Sequence, residues 1–273
     1  MKTKRTLKKI LLYLSFVIIG AVMVFPFVWM VATSFKTGAE IYSLNLIPHS
    51  PTLENYAKVL KGSDFPRWFL NSFFIAGITT ISVLVFDPLL GFAFCKYDFR
   101  GKNLIFTMLL STMMIPTEMM IIPWYMMVNK LGWNNTYWSV LFPGLSSAFG
   151  IFLMRQFFTG VPNDLLDVGR IDGLTEFGVY TKIALPLVTP ALSALGIFTF
   201  LGNWNAFLWP VIALDSKSKY TITLGLAQFS AENLSRWDLI MTGASVATIP
   251  IIIIFLIFQR QIIEGIQLTG VKG

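Results

Sequence analysis

The chain has 273 residues, of which 55% are hydrophobic and 13% charged, with a formal net charge of +7 and a mean hydropathy of +0.68. A soluble domain carries about 25% charged residues, so the composition identifies an integral membrane protein. The positive charge does not describe a nucleic-acid face, because the basic residues flank apolar runs. The single cysteine, Cys95, excludes an intrachain disulfide and a cysteine metal cluster, and the single histidine, His49, leaves little room for a metal site. There is no Gly-x-x-x-x-Gly-Lys-[Ser/Thr] phosphate loop. If ATP drives this protein, another chain binds it.

The basic segment Met1–Lys9 precedes an apolar run from Ile10 to about Phe35. That run is too long for the core of a signal peptide and has no clear cleavage site after it, so it reads as a retained first span. A span needs roughly 20 mostly apolar residues. Six segments meet this requirement: about 10–35, 69–95, 104–128, 136–158, 184–213 and 239–259. Trp68, Trp124, Tyr125, Trp133, Trp138, Trp209 and Trp237 fall near their ends, as interfacial aromatics do. No Pro/Gly/Ser-rich linker divides the chain, which predicts a single transmembrane domain over 1–273.

The positive-inside rule orients the spans. With the N-terminus in the cytoplasm, 13 of the 21 Lys and Arg residues lie inside, five of them among Lys2, Lys4, Arg5, Lys8 and Lys9. Both termini and the 159–185 segment then face the cytoplasm, and the segments near 36–67 and 214–238 face away.

The second predicted span contains Asp87-Pro88. Pro88 cannot donate to the Leu84 carbonyl, so a kink is expected there. A carboxyl group at membrane depth is costly. Asp87 is either a proton or cation site, or a structural carboxyl bonded to a nearby Ser, Thr or Lys. In the third span Glu118 lies between Pro116 and Pro123. It either bonds to backbone freed by the prolines or lines a translocation cavity. The nearby methionines (Met108, Met113, Met114, Met119, Met120, Met126, Met127) read as adaptable packing.

Between the fourth and fifth spans the chain turns polar: Val161-Pro162-Asn163-Asp164-Leu165-Leu166-Asp167-Val168-Gly169-Arg170-Ile171-Asp172-Gly173, then Glu176 and Phe177 to Leu185-Pro186. Pro162 suits the start of a helix, and Asp164 and Asp167 favour its positive end. Asp167 and Arg170 are spaced to pair along one side. Gly173 can stop the helix in a left-handed conformation. A second helix is expected from about Thr175 to Leu185, giving helix, sharp turn, helix. Gly169 is expected to leave bare backbone where another surface could approach. By these residues alone, an amphipathic interfacial loop and a docking element are equally open.

In the fifth span, Asn203, Trp204, Asn205 and Trp209 are candidates for a substrate pathway, since amides meet hydroxyls and aromatic rings meet C–H faces. Trp204 and Trp209 can equally be interfacial anchors.

The polar segment resembles the "EAA" loop of bacterial ABC-importer permeases. Arg170-Ile171-Asp172-Gly173, Ile183, Leu185-Pro186-Leu187 and Pro190 match its signature, while the opening Glu-Ala-Ala is replaced by Asp167-Val168-Gly169. Further matches are Pro26, Trp29, Ser34-Phe35-Lys36, Pro51-Thr52-Leu53-Glu54-Asn55-Tyr56, Asn71-Ser72-Phe73, Pro116, Pro123, Trp204-Asn205-x-Phe207-Leu208-Trp209-Pro210, Gln259-Arg260 and the tail Gly270-Val271-Lys272-Gly273. Nearly the whole chain is similar to the carbohydrate-importer permeases of the maltose-type inner-membrane subunit family.

The resemblance implies an all-α membrane protein of the ABC type I importer fold in a bacterial cell membrane. It implies a second permease forming a heterodimer, two ATP-binding subunits holding ATP and Mg, and an extracytoplasmic sugar-binding protein. Asp167, Gly169, Arg170, Asp172, Gly173 and Glu176 would then couple to the ATPase, and Gly270 to Gly273 would touch the ATPase dimer. An ion-coupled secondary transporter using Asp87 and Glu118 is the alternative. A membrane-embedded enzyme fits poorly, since one His and one Cys lack matched partners.

Overall fold

The computed structural model describes the backbone of residues 2–270 and the side chains of residues 8–259. The expected tail contact at Gly270, Val271, Lys272 and Gly273 lies outside the residues described in full. The described residues contain helices and turns and no strand. The helices are α1 (Lys2–Ser34), α2 (Glu54–Lys61), α3 (Phe65–Lys96), α4 (Lys102–Thr112), α5 (Ile121–Lys130), α6 (Tyr137–Leu141) and α7 (Ala148–Thr159). They continue as α8 (Asn163–Ile171), α9 (Glu176–Val179), α10 (Leu185–Leu187), α11 (Thr189–Trp204), α12 (Leu208–Ala213), α13 (Ile222–Glu232) and α14 (Trp237–Gly270).

Among the described residues, four stretches are long and apolar enough to cross a membrane: Lys8–Ser34, Phe65–Lys96, Tyr137–Thr159 and Trp237–Gln259. Six result if each of two bent helix pairs counts as one span. The span expected over 104–128 is broken between α4 and Thr117–Lys130 by a bend of 98°. Pro116 supplies no N–H and pushes Ile115 out of the helical region, so the helix ends before it. The span expected over 184–213 also differs. It bends by 81° between Leu187 and Thr189, in a stretch bounded by Pro186 and Pro190, and stops at Trp204. The α11 helix has 16 residues, about 24 Å at the usual rise, and α12 is a separate short helix.

The chain clusters into two compact units. One contains residues up to Pro66 together with Gly225–Ile249; the other runs from Arg67 to Leu224 and resumes at Pro250. In the first unit, α1 is apolar on every face and none of its spanning window is buried, as befits a helix surrounded by hydrocarbon. Two of the segments used for the family resemblance meet at its end. Asn55 Nδ2 donates to the carbonyls of Ser34 and Lys36, both at 2.9 Å. Tyr56 shares a hydrogen bond with Ser34 at 2.8 Å and sets its ring 5.1 Å from Phe35. The Lys36 ammonium is buried and donates to Ser43 O at 2.9 Å.

In the second unit, α3 packs against α7 and α11 around Phe92, Met154, Phe158, Leu166, Tyr180 and Leu195. Asn71 Nδ2 donates to Ser218 O and Tyr220 O at 3.0 and 2.9 Å, and the neighbouring Ser72 Oγ accepts from Ile222 N at 2.7 Å. These bonds fasten the 217–222 turn to α3.

Asp87 is fully buried. Its carboxyl oxygens accept from Ser146 Oγ at 2.7 Å, Ser147 Oγ at 2.9 Å and Ser147 N at 3.1 Å. Ser147 is the N-cap of α7 and its hydroxyl accepts from Gly150 N at 2.8 Å. Asp87 therefore caps a neighbouring helix at its positive end. This is the structural-carboxyl reading, with serines as partners.

The packing around Asp87 makes a sharp expectation. A methyl group on Gly150 would overlap the Asp87 carboxyl, whereas Gly202 has open space around it. Gly150→Ala should cost about 1–3 kcal/mol, as overpacking does, and Gly202→Ala should be neutral or slightly stabilising. Thermal unfolding in mild detergent, followed by size-exclusion recovery, measures both. Equal melting of the two variants would contradict the capping arrangement.

Candidate functional site

The polar segment folds as a helical hairpin. The α8 helix starts after Pro162, whose φ of −61° is already set for the entry. It ends in a Schellman closure: Leu174 N donates to Gly169 O at 3.0 Å and Gly173 N to Arg170 O at 3.1 Å. Gly173 carries the closure with φ +83°, a conformation that costs any residue with a Cβ. Thr175 then caps α9, its hydroxyl accepting from Gly178 N at 3.2 Å. A single π turn, Tyr180–Ala184, leads into α10.

Gly169 does not offer its bare backbone outward. It is buried, and a Cβ there would collide with the Ile183 side chain and crowd Leu174 at 3.4 Å. Its lack of a side chain lets the two arms of the hairpin close on each other.

One cation organises the polar face. Arg170 Nη1 donates to Asp167 Oδ1 at 2.6 Å, and its Nε and Nη2 form a fork on Glu176 at 2.8 and 3.1 Å. The Tyr97 hydroxyl, just past the end of α3, donates to Glu176 Oε2 at 2.5 Å. Lys96 Nζ donates to Val161 O at 2.6 Å and to Asn163 Oδ1 at 2.9 Å. The hydrogen bonds from Arg170 and Tyr97 hold the Glu176 carboxyl down from its ordinary 4.5 to about 2. The same bonds to Glu176 and Asp167 push the Arg170 guanidinium up. Burial, and then the bond to Glu176, raise the Tyr97 phenol above its usual value, so it remains a donor. A polar cavity of about 470 Å³ lies behind this face, lined by Lys96, Asp98, Arg155, Asn163, Asp167 and Arg170 among others.

Large apolar side chains also stand exposed on the hairpin, alongside Asp164 and Asp172. Leu165, Val168, Ile171 and Phe177 are all exposed, Ile171 to 84%. Asp172 and Gly173 sit exposed at the turn between the helices. The hairpin thus presents four large apolar side chains on a scaffold closed by its own ion pairs.

The remaining sequence-predicted residues do not converge on the hairpin. Trp204 is 1% exposed, edge-on to Phe69 at 5.3 Å and stacked on Phe200 at 5.8 Å, so its ring fills the core. Trp209 is half-buried, donates from Nε1 to Ser139 O at 2.9 Å and meets the Trp124 ring at 5.6 Å. Asn203 and Asn205 donate back to Thr199 O and Leu201 O within α11. Glu118 is exposed in the short turn Thr117–Met120, where its carbonyl accepts from Ile121 N and its side chain makes no hydrogen bond among the described residues. No group of three or more His, Cys, Asp or Glu able to hold a metal occurs among the described residues. A cavity of about 410 Å³ lined by Leu84, Leu192, Ile197, Phe200 and Phe258, with Thr80 and Ser193, is mostly apolar.

Tyr97 and Lys96 were not read from the sequence as partners of the hairpin, and Asn163, although within the polar segment, was given no contact of its own. Their signal was present: two donors directly after an apolar run, and an amide at the first position of α8.

The chain belongs to the family of binding-protein-dependent transport system inner membrane components, whose model matches residues 88–267. It is 36% identical over 270 residues to the arabinooligosaccharides transport system permease protein AraQ of Bacillus subtilis, covering 97% of this chain and 96% of that protein. It is 29% identical over 275 residues to the trehalose/maltose transport system permease protein MalG of Thermococcus litoralis, covering 99% of each. Its fold matches that of a chain of a bacterial ABC transporter involved in alginate import, with a TM-score of 0.83 at 22% identity, covering 93% of this chain and 96% of that one. This is the ABC type I importer fold.

The pH dependence follows from Glu176. Its depressed value means that the Arg170 and Tyr97 bonds contribute their full stability above about 4.5 and lose it as pH falls toward about 2. A spin label at Asp164→Cys, in a Cys95→Ser background, should stay immobile from neutral pH to about 5 and gain mobility below about 4.5. The pairs are half-exposed, so high salt should bring part of the same loosening at neutral pH. Mobility that does not change down to about pH 2 would contradict this ordering of the hairpin.

Proposed function

We propose that this chain is a permease subunit of an ATP-driven, binding-protein-dependent importer of sugars, with the 163–187 hairpin as the element that docks into an ATP-binding subunit. The observation that carries this reading is the open apolar set Leu165, Val168, Ile171 and Phe177 on a self-closed scaffold. A surface loop in water or at a headgroup interface has no need of such rigidity, and exposed apolar clusters mark protein contacts. The sugar class comes from the relatives, which transport arabinooligosaccharides and trehalose or maltose by name.

The assembly follows from what the chain lacks and offers. ATP and Mg are held by two separate ATP-binding subunits. A second permease pairs with this one as a heterodimer, and an extracytoplasmic sugar-binding protein delivers the solute. The N-terminus, the C-terminus and the hairpin face the cytoplasm, in line with the inward bias of Lys and Arg. ATP closes the ATPase pair and displaces the hairpin, which shifts the spans between inward-open and outward-open arrangements. Such a shift needs differential binding of the two states by the ATPase, and nothing else from this chain. In this reading the partner permease shares the sugar path.

Purification from the native host in mild detergent, followed by mass spectrometry, tests the reading directly. A second six-span permease and an ATPase are the expected companions, and MgATP should drive uptake. Gly173→Val probes the hairpin. It has room for the side chain but a positive φ that a β-branched residue resists, at a cost of roughly 1–3 kcal/mol. ATP-coupled uptake should fall while the chain remains inserted. Recovery of the chain alone, active in gradient-driven uptake, would overturn the reading.

A further inference from the structure

The end of α3 grips the hairpin through two adjacent residues. Lys96 holds the entry to α8 through Val161 O and Asn163 Oδ1. Tyr97 reaches the start of α9 through Glu176. Glu176 in turn takes the fork of Arg170, which holds Asp167 on α8. One continuous run of polar contacts, Tyr97–Glu176–Arg170–Asp167, therefore links α3 to both arms of the hairpin. Phe92 supports it, with ring centroids 5.8 Å from Tyr97, 5.2 Å from Phe158 and 5.2 Å from Tyr180.

We infer that Tyr97 is a positioning residue that makes α3 and the hairpin move as one body. The inference rests on the reading of the hairpin as the ATPase-docking element. Ring packing around Phe92 fixes a separation but lets surfaces slide. A charge-assisted hydrogen bond adds direction. A phenol has two side-chain torsions and acts as a strut, whereas Lys96 reaches over a flexible four-carbon stem. The hydroxyl also ends a polar network whose bonds strengthen one another. Displacement of the hairpin by an ATPase then reaches α3 at Tyr97. It continues up that helix to Asp87, where the bonds to Ser146 and Ser147 pass it to the start of α7.

The test uses the full complex with its partner subunits in nanodiscs, in a Cys95→Ser background. Spin labels at Asp164→Cys on α8 and Leu90→Cys on α3, both exposed, report the distance between hairpin and helix. In the otherwise unaltered complex the distance should be the same without nucleotide and with MgATP plus vanadate. With Tyr97→Phe, which keeps the ring, the nucleotide-bound distribution should shift or roughly double in width while the melting temperature falls by no more than about 2–4 °C. Glu176→Gln added to Tyr97→Phe should widen it no further than the larger single effect, because both remove one link. An equally narrow distribution for Tyr97→Phe in both states overturns the inference, as does a distance that changes with nucleotide before any substitution at Tyr97. A complex that hydrolyses MgATP yet gives either of those results sinks the strut alone. A preparation without an ATPase sinks the importer reading and the strut together.

Discussion

A bilayer offers no water to a stray N–H or carbonyl, so each polar group at membrane depth has to be met by the chain itself. The same economy holds for most polar side chains buried in and beside the spans, Thr33 and Thr79 being the unpaired hydroxyls among the described residues. Asp87 spends both oxygens on Ser146 and Ser147. Asn55 spans the carbonyls of Ser34 and Lys36 that α1 leaves open at its end. Asn71 does the same for the turn at Ser218 and Tyr220. In each case a short side chain from one element closes the orphan groups of another, so the same bond satisfies the backbone and fixes the packing. A neighbour with the wrong reach would leave a buried donor or acceptor unpaired, at a cost of about 1–3 kcal/mol.

The presence of the spans was legible from hydropathy because apolar length is the dominant signal in a membrane. Their breaks were less so. Pro88 lies inside an uninterrupted α3, while Pro116 ends a helix outright. The prolines are chemically identical; the neighbours differ. Around Pro88 the helix is held on both sides by Asp87 at α7 and by the cluster containing Val83 and Phe92. Around Pro116 the flanking residues Met113, Met114, Thr117 and Glu118 are all exposed, and nothing in the second unit forces the helix to continue. Tertiary support decides whether a proline is tolerated, and a one-dimensional pattern does not carry it.

The hairpin was legible in its turn and closed to view in its fastenings. Gly173 as a left-handed stop, the Asp167–Arg170 pair and the second helix from Thr175 all follow from local rules of capping and spacing, which involve residues close in sequence. The contacts of Lys96 and Tyr97 span 65 to 79 positions, and no local rule reaches that far. Gly169 shows the same limit from the other side. Its bareness looked like an invitation to a partner, yet the surface it admits is Ile183 of its own chain. Trp204 was placed among pathway residues for its chemistry, and packing against Phe69 and Phe200 removes its faces from use.

The division of labour within the hairpin has a physical logic of its own. Charge pairs at an exposed surface add little stability singly, but here they share one guanidinium and end on a buried-edge phenol, so they restrict geometry more than they add energy. The apolar side chains are left out of that network, and Leu165, Val168, Ile171 and Phe177 remain free to be buried by something else. An element that docks must keep its shape before the partner arrives, since ordering it on contact would consume binding free energy. Directional bonds set the shape and hydrophobic area remains for association. The replacement of Glu-Ala-Ala by Asp167-Val168-Gly169 follows the same division: Asp167 keeps the acid for Arg170, Val168 adds to the open apolar face, and Gly169 makes room for Ile183.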